Sequence, residues 1–71
     1  MKLPLVSGKE LIKILTNKGF IIVGRKGSHI RLKKRTDERV FVTIVPLHKT
    51  IDKGTLKAIL NQTGLEKEDL S

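Results

Sequence analysis

The chain has 71 residues, no cysteine, and a formal net charge of +8, from 15 Lys and Arg against 7 Asp and Glu. That length fits one small domain over residues 1–71, with a modest core of marginal stability. The missing thiols exclude disulfides and thiolate metal sites, and with His29 and His48 as the only histidines a structural zinc site is disfavoured.

The charge points to a polyanion, an acidic protein or an anionic membrane surface as partner. No stretch approaches the roughly 18 apolar residues of a membrane span. Met1–Val6, broken by Pro4, does not read as a signal peptide. A cytoplasmic protein is expected, and polyanions there are mostly nucleic acids.

Ser7 and Glu10 match a capping box, with Val6 and Leu11 at the staple positions. Gly8, Leu11, Ile12 and Leu15 recur at helical spacing, and Gly19 is a natural stop. A helix over 8–18 is predicted. Phe20–Val23, aromatic and β-branched, reads as a first strand. Gly24–Gly27 reads as a turn carrying Arg25 and Lys26. A second strand is predicted over 28–34, a polar loop over 35–39, and a third strand over 40–45, ended by Pro46.

Alternation places Ser28, Ile30 and Leu32 on one face of the second strand and His29, Arg31 and Lys33 on the other. A three-residue loop, Thr36–Glu38, would pair Ile30 with Ile44 and Leu32 with Val42 in the core. It would set Arg31 opposite Thr43 and His29 opposite Val45 outside. After the loop 47–51, Asp52 is a good N-cap for a second helix. Its buried stripe is Leu56, Ile59, Leu60 and Thr63, its stop is Gly64, and a short terminal turn is expected within 65–70.

The expected fold class is thus α+β, in the order α-β-β-β-α, with two helices on one face of a three-stranded antiparallel sheet. The uncovered face carries His29, Arg31, Lys33 and Thr43.

The cations Arg25, Lys26, Arg31, Lys33, Lys34, Arg35 and Arg39 cluster in the middle of the chain. They fit a phosphate-binding face, or more plainly a solvated, solubilising surface. His29 can move protons near neutral pH. A neutral imidazole there could take the proton of a ribose 2′-hydroxyl, and the cations could stabilise charge on the attacked phosphate. A structural or incidental histidine is the alternative.

Gly27 either lets a sugar-phosphate backbone approach or serves a turn of positive φ. Ser28 could bond a phosphate or end the turn. His48, after the third strand, could protonate the leaving oxygen or hold a loop. Lys53 and Lys57 are a further phosphate contact or an exposed helix face. There is no carboxylate cluster for Mg²⁺ and no Gly-rich phosphate loop, so no cofactor is expected.

Taken together, Ser7-Gly8-Lys9-Glu10-Leu11, Gly19-Phe20, Gly27-Ser28-His29, Val45-Pro46-Leu47-His48, Gly54-Thr55-Leu56, Ile59-Leu60 and Gly64-Leu65 resemble, in order and spacing, the HicA-type mRNA interferase toxins. The resemblance implies a fold like the double-stranded-RNA-binding domain. It implies a metal-independent endoribonuclease that cleaves mRNA and arrests growth, with His29 as its catalytic residue. It also implies a HicB-type antitoxin as partner, covering the active face. Two rivals stay open: a non-catalytic RNA-binding module, and an inactive toxin relic or a protein-interaction domain whose basic face meets only an acidic partner.

Overall fold

The computed structural model describes residues 3–70. Its elements are α1 (Gly8–Asn17), β1 (Ile21–Lys26), β2 (His29–Arg35), β3 (Val40–Pro46), α2 (Lys53–Thr63) and a short 3-10 helix (Lys67–Leu70). The strands form one antiparallel sheet in the order β1-β2-β3. This is the expected α+β order, helix, three strands, helix.

Both helices begin where their side chains satisfy free backbone groups. The Ser7 hydroxyl accepts from the Glu10 N–H at 3.1 Å, and the Glu10 carboxylate accepts from the Ser7 N–H at 3.0 Å. At α2 the Asp52 carboxylate accepts from the Thr55 N–H at 3.1 Å and from its hydroxyl at 2.7 Å. Gly64 ends α2 with φ of 73°, a left-handed cap that suits glycine. The core joins Val6, Leu11 and Leu15 to Phe20, Ile30, Leu32, Val45, Ile51, Leu56, Ile59, Leu60 and Leu70.

The strand boundaries and one register differ from the sequence reading. Gly24, Arg25 and Lys26 belong to β1, which continues through a bulge at Val23, and the turn is Gly27-Ser28 alone. Gly27 has φ of 59° and Ser28 does not have positive φ, the pattern of a II′ hairpin.

In the second hairpin Ile30 faces Val45, Arg31 faces Ile44 and Leu32 faces Thr43, one residue away from the expected pairing. His29 therefore faces Pro46, not Val45. Thr36 is the cause. Its N–H reaches the Arg39 carbonyl at 2.9 Å, and its hydroxyl accepts from the N–H groups of Glu38 and Arg39. The connection thus closes around a two-residue tip, Asp37-Glu38, with an even count that moves the register by one.

Such a slip exchanges the faces of β3. Thr43 and Val45 are buried, and Val40, Val42 and Ile44 are exposed. The buried Thr43 hydroxyl donates to Gln62 Oε1 of α2 at 2.8 Å, so the polar group entering the core is satisfied. Phe41 turns inward and meets Phe20 edge to face, with ring centroids 6.3 Å apart.

Two stability outcomes follow. Thr43→Lys places an unpaired charge in the core and should leave the domain unfolded at 25 °C, since its cost is comparable to the whole stability of a small domain, about 5–15 kcal/mol. Val42→Lys, on the uncovered face, should stay within about 0.5 kcal/mol of wild type. Thermal melts of the two variants check this, and the opposite ranking would restore the other register.

The second outcome concerns acid. Glu10, Asp52 and Asp69 are all held below the usual carboxylate range by hydrogen bonds, chiefly from the Ser7 N–H, the Thr55 hydroxyl and the Glu66 N–H respectively. Folded values below the unfolded ones mean stabilisation that is fully present above the unfolded pKa, near pH 4, and lost as pH falls through the folded values. The melting temperature should be level from pH 7 to about 5 and fall below about 4. A fall that begins on raising the pH instead would contradict the assignment.

Candidate nucleic-acid interface

The II′ turn brings the end of β1 against the start of β2, and β3 runs along the other side of β2. Two cross-strand rungs result on the uncovered face. One is Gly24–Arg31–Ile44 and the next is Lys26–His29, whose β3 partner, Pro46, is itself buried. Side chains two residues apart along a strand stand about 7 Å apart, so the rungs are near neighbours. Around them lies an open depression of about 690 Å³, lined by Gly24, Arg25, Lys26, Gly27, Ser28, His29, Arg31 and Ile44.

The turn is fastened to the rest of the domain. The Arg25 Nε–H donates to the Gly27 carbonyl at 3.1 Å, which folds that guanidinium over the turn. The Ser28 carbonyl accepts from the Leu47 N–H at 2.7 Å. The His48 carbonyl accepts from the Gly8 N–H at 2.9 Å, which ties the segment after β3 to the start of α1. A Cβ on Gly8 would collide with the Pro46 carbonyl, so glycine allows this close approach. The exposed site residues thus stand on backbone anchored in the core.

Of the residues singled out in the sequence, Arg25, Lys26, Gly27, Ser28, His29 and Arg31 share this one depression. Lys33 lies further along the same strand face, between Ile21 and Val42. Lys53, in the first turn of α2, does not line it. His48 lines a different depression, with Ser7, Lys9, Leu47 and Lys49. The expected neighbourhood of the two histidines holds for the backbone, since β3 ends beside His29, but the two side chains line separate hollows.

Thr43, expected on this face, is buried on the other. Ile44 stands there instead, and Gly24 opens the opposite wall. Neither residue stands out in the sequence as part of a site. Gly24 was hidden by its nearness to Gly27, which makes one long turn look natural. The parity of Phe41 was the signal that could have put Ile44 outside.

The electrostatics are one-sided. Among the described residues the ion pairs are Lys18–Asp69 at 3.3 Å and Lys67–Glu68 at 3.9 Å, so Arg25, Lys26, Arg31 and Lys33 keep their charge unpaired. Among the described residues no carboxylate lines the depression. Among the described residues no group of three His, Cys, Asp or Glu is placed to hold a metal ion, and no helix is long and apolar enough to cross a membrane. An imidazole set among unpaired cations on an open face can bind phosphodiesters and exchange a proton beside them.

Neither a curated protein nor a solved structure matches the chain significantly. A family model does: that of the HicA toxin of bacterial toxin–antitoxin systems, over residues 8–65, a span holding both helices, the whole sheet and every residue of the depression. With most of its length matched, the chain belongs to the HicA toxin family.

Proposed function

We propose that this toxin is an endoribonuclease that cleaves mRNA, with His29 as its acid–base group. The observation that carries the reading is the pair of rungs that sets His29 beside Lys26 and one step from Arg31, on the face the helices leave uncovered.

The chemistry follows from the residue types. The His29 imidazole takes the proton of a ribose 2′-hydroxyl, and the 2′-oxygen attacks the adjacent phosphorus. The bond from phosphorus to the 5′-oxygen breaks, leaving a cyclic phosphate on one fragment. The departing 5′-oxygen takes a proton from water at this open site, and the hydroxide so formed takes back the proton held by His29. Arg31, Lys26 and Arg25 offset the charge growing on the phosphate oxygens. Gly27 keeps the approach clear, since a Cβ there would meet no protein atom within 4 Å, although its positive φ already favours glycine. Ser28 borders the same space. Lys33 extends the cationic track, while Lys53 and His48 are auxiliary at most. A donor set of nitrogens without carboxylates suits phosphate directly and asks for no bound divalent cation.

The natural partner of such a face is the cognate antitoxin, a HicB-type protein with an acidic surface. Covering the sheet would mask His29 and the cations together.

The test is cleavage of a long mRNA by the pure protein in EDTA, beside His29→Ala. Acid–base catalysis by one group contributes about 10²–10⁴-fold, so His29→Ala should lose at least about a hundredfold in rate. Its melting temperature should not move, because the side chain is exposed. His48→Ala should change the rate far less. If both proteins cut equally, His29 is not the catalyst. If neither cuts yet both bind RNA with a steep salt dependence, the chain is a non-catalytic RNA-binding module.

A further inference from the structure

Gly24 lies inside a strand, where glycine is usually unfavourable. Its backbone does not require glycine, because the positive-φ glycines are Gly19, Gly27 and Gly64. Packing does not require it either. An added Cβ would meet only the Arg31 Cβ, at 3.9 Å, an ordinary contact. What its missing side chain does is leave one wall of the depression open. The bulge at Val23 sits just before it, and bulges beside sites re-aim the chain.

Across the same rung stands Ile44, 46 % exposed, and between the two lies Arg31. Phosphate gains nothing from an aliphatic wall or an empty one. A nucleobase gains from both, since it presents a flat apolar surface. Bases taken out of a helix commonly stack on aromatic rings or on the plane of an Arg guanidinium. This chain has no Trp or Tyr, and Phe20 and Phe41 pack against each other away from the depression. Arg31 is then the available platform. A volume of about 690 Å³ lies within the range of small-molecule sites, about 300–1,000 Å³.

We propose that this depression seats one unstacked nucleoside, with Gly24 leaving room for the base, Ile44 and Arg31 contacting it, and Lys26 and Arg25 taking the flanking phosphates. The substrate is therefore unpaired RNA, because a base held in a duplex cannot enter. Gly24 and Ile44 determine specificity and are not catalytic. The proposal rests on the ribonuclease reading for its substrate, but it concerns binding and can be measured without turnover.

The probe is a short 2′-fluoro RNA, which lacks the attacking hydroxyl, used as a single strand and annealed to its complement. Binding is followed by fluorescence anisotropy for wild type, Gly24→Val and Ile44→Ala, with mRNA cleavage measured in parallel. Wild type should bind the single strand about tenfold more tightly than the duplex, given stacking of about 1–3 kcal/mol per base. Gly24→Val fills the seat with a good strand former and should lose that preference, and Ile44→Ala should lose part of it. Both should keep the salt dependence that phosphate contacts give.

Equal binding of single strand and duplex by wild type would overturn the seat, even if mRNA is cut. Unchanged binding by folded Gly24→Val and Ile44→Ala would overturn it too. If Gly24→Val does not fold, Ile44→Ala decides, since Ile44 is an exposed residue. A single-strand preference lost in the variants, with no cleavage by wild type, would uphold the seat and remove the ribonuclease reading alone.

Discussion

The register between β2 and β3 is the constraint on which the rest of the molecule depends. A slip of one residue would send every side chain of one strand to the other face. Thr36 prevents it by bonding Glu38 and Arg39 around the Asp37-Glu38 tip. Phe41 opposes a slip from the core side, through its contact with Phe20. An outward Phe41 would leave a large apolar surface in water, and few other core residues in so short a chain could make up the loss.

With that register set, packing and site follow together. Thr43 enters the core, so Gln62 must come to meet it, and this holds α2 over β3. Pro46, at the end of β3, lies against Gly8 at the start of α1. Leu47 bonds the Ser28 carbonyl in the first hairpin turn. The segment that carries His29 is thus tied to both helices through β3, although its own side chains are exposed. Rigid support under an exposed group lets it hold its position without being buried.

The helices were legible from local residues alone. Ser7, Glu10, Asp52 and Gly64 mark their ends, and Leu56, Ile59, Leu60 and Thr63 are the buried set on α2. The outward row of His29, Arg31 and Lys33 was legible for the same reason, since alternation within one strand needs no partner. β3 was not. Val40, Val42 and Ile44 are apolar on one parity, and Phe41 and Val45 on the other, so hydrophobicity could not choose a face. The choice lay in a loop hydroxyl and in one aromatic ring, and Ile44 was lost from the site with it. Gly24 was hidden differently. Whether a strand continues through a glycine depends on what pairs with it across the sheet, and local composition does not record that.

The uncovered face is a row of cations with aliphatic neighbours. Val42 and Ile44 on one side and Ile21 on the other are 46 %, 46 % and 62 % exposed beside Arg31 and Lys33. A surface that served only to attract phosphate would gain more from polar neighbours. Aliphatic neighbours instead suit a ligand that is apolar as well as charged. The same arrangement works in reverse. Exposed aliphatic rows on an open sheet invite association with other copies, and interleaved charges oppose it. The cations of β2 therefore suit a polyanion and also oppose association of the uncovered face with other copies. Polyanion binding and self-association of this face respond oppositely to salt, since ionic contacts are screened while excluded salts such as sulfate strengthen apolar association. An unstacked nucleotide and an acidic protein surface are both charged and partly apolar, so the chemistry of this face matches either.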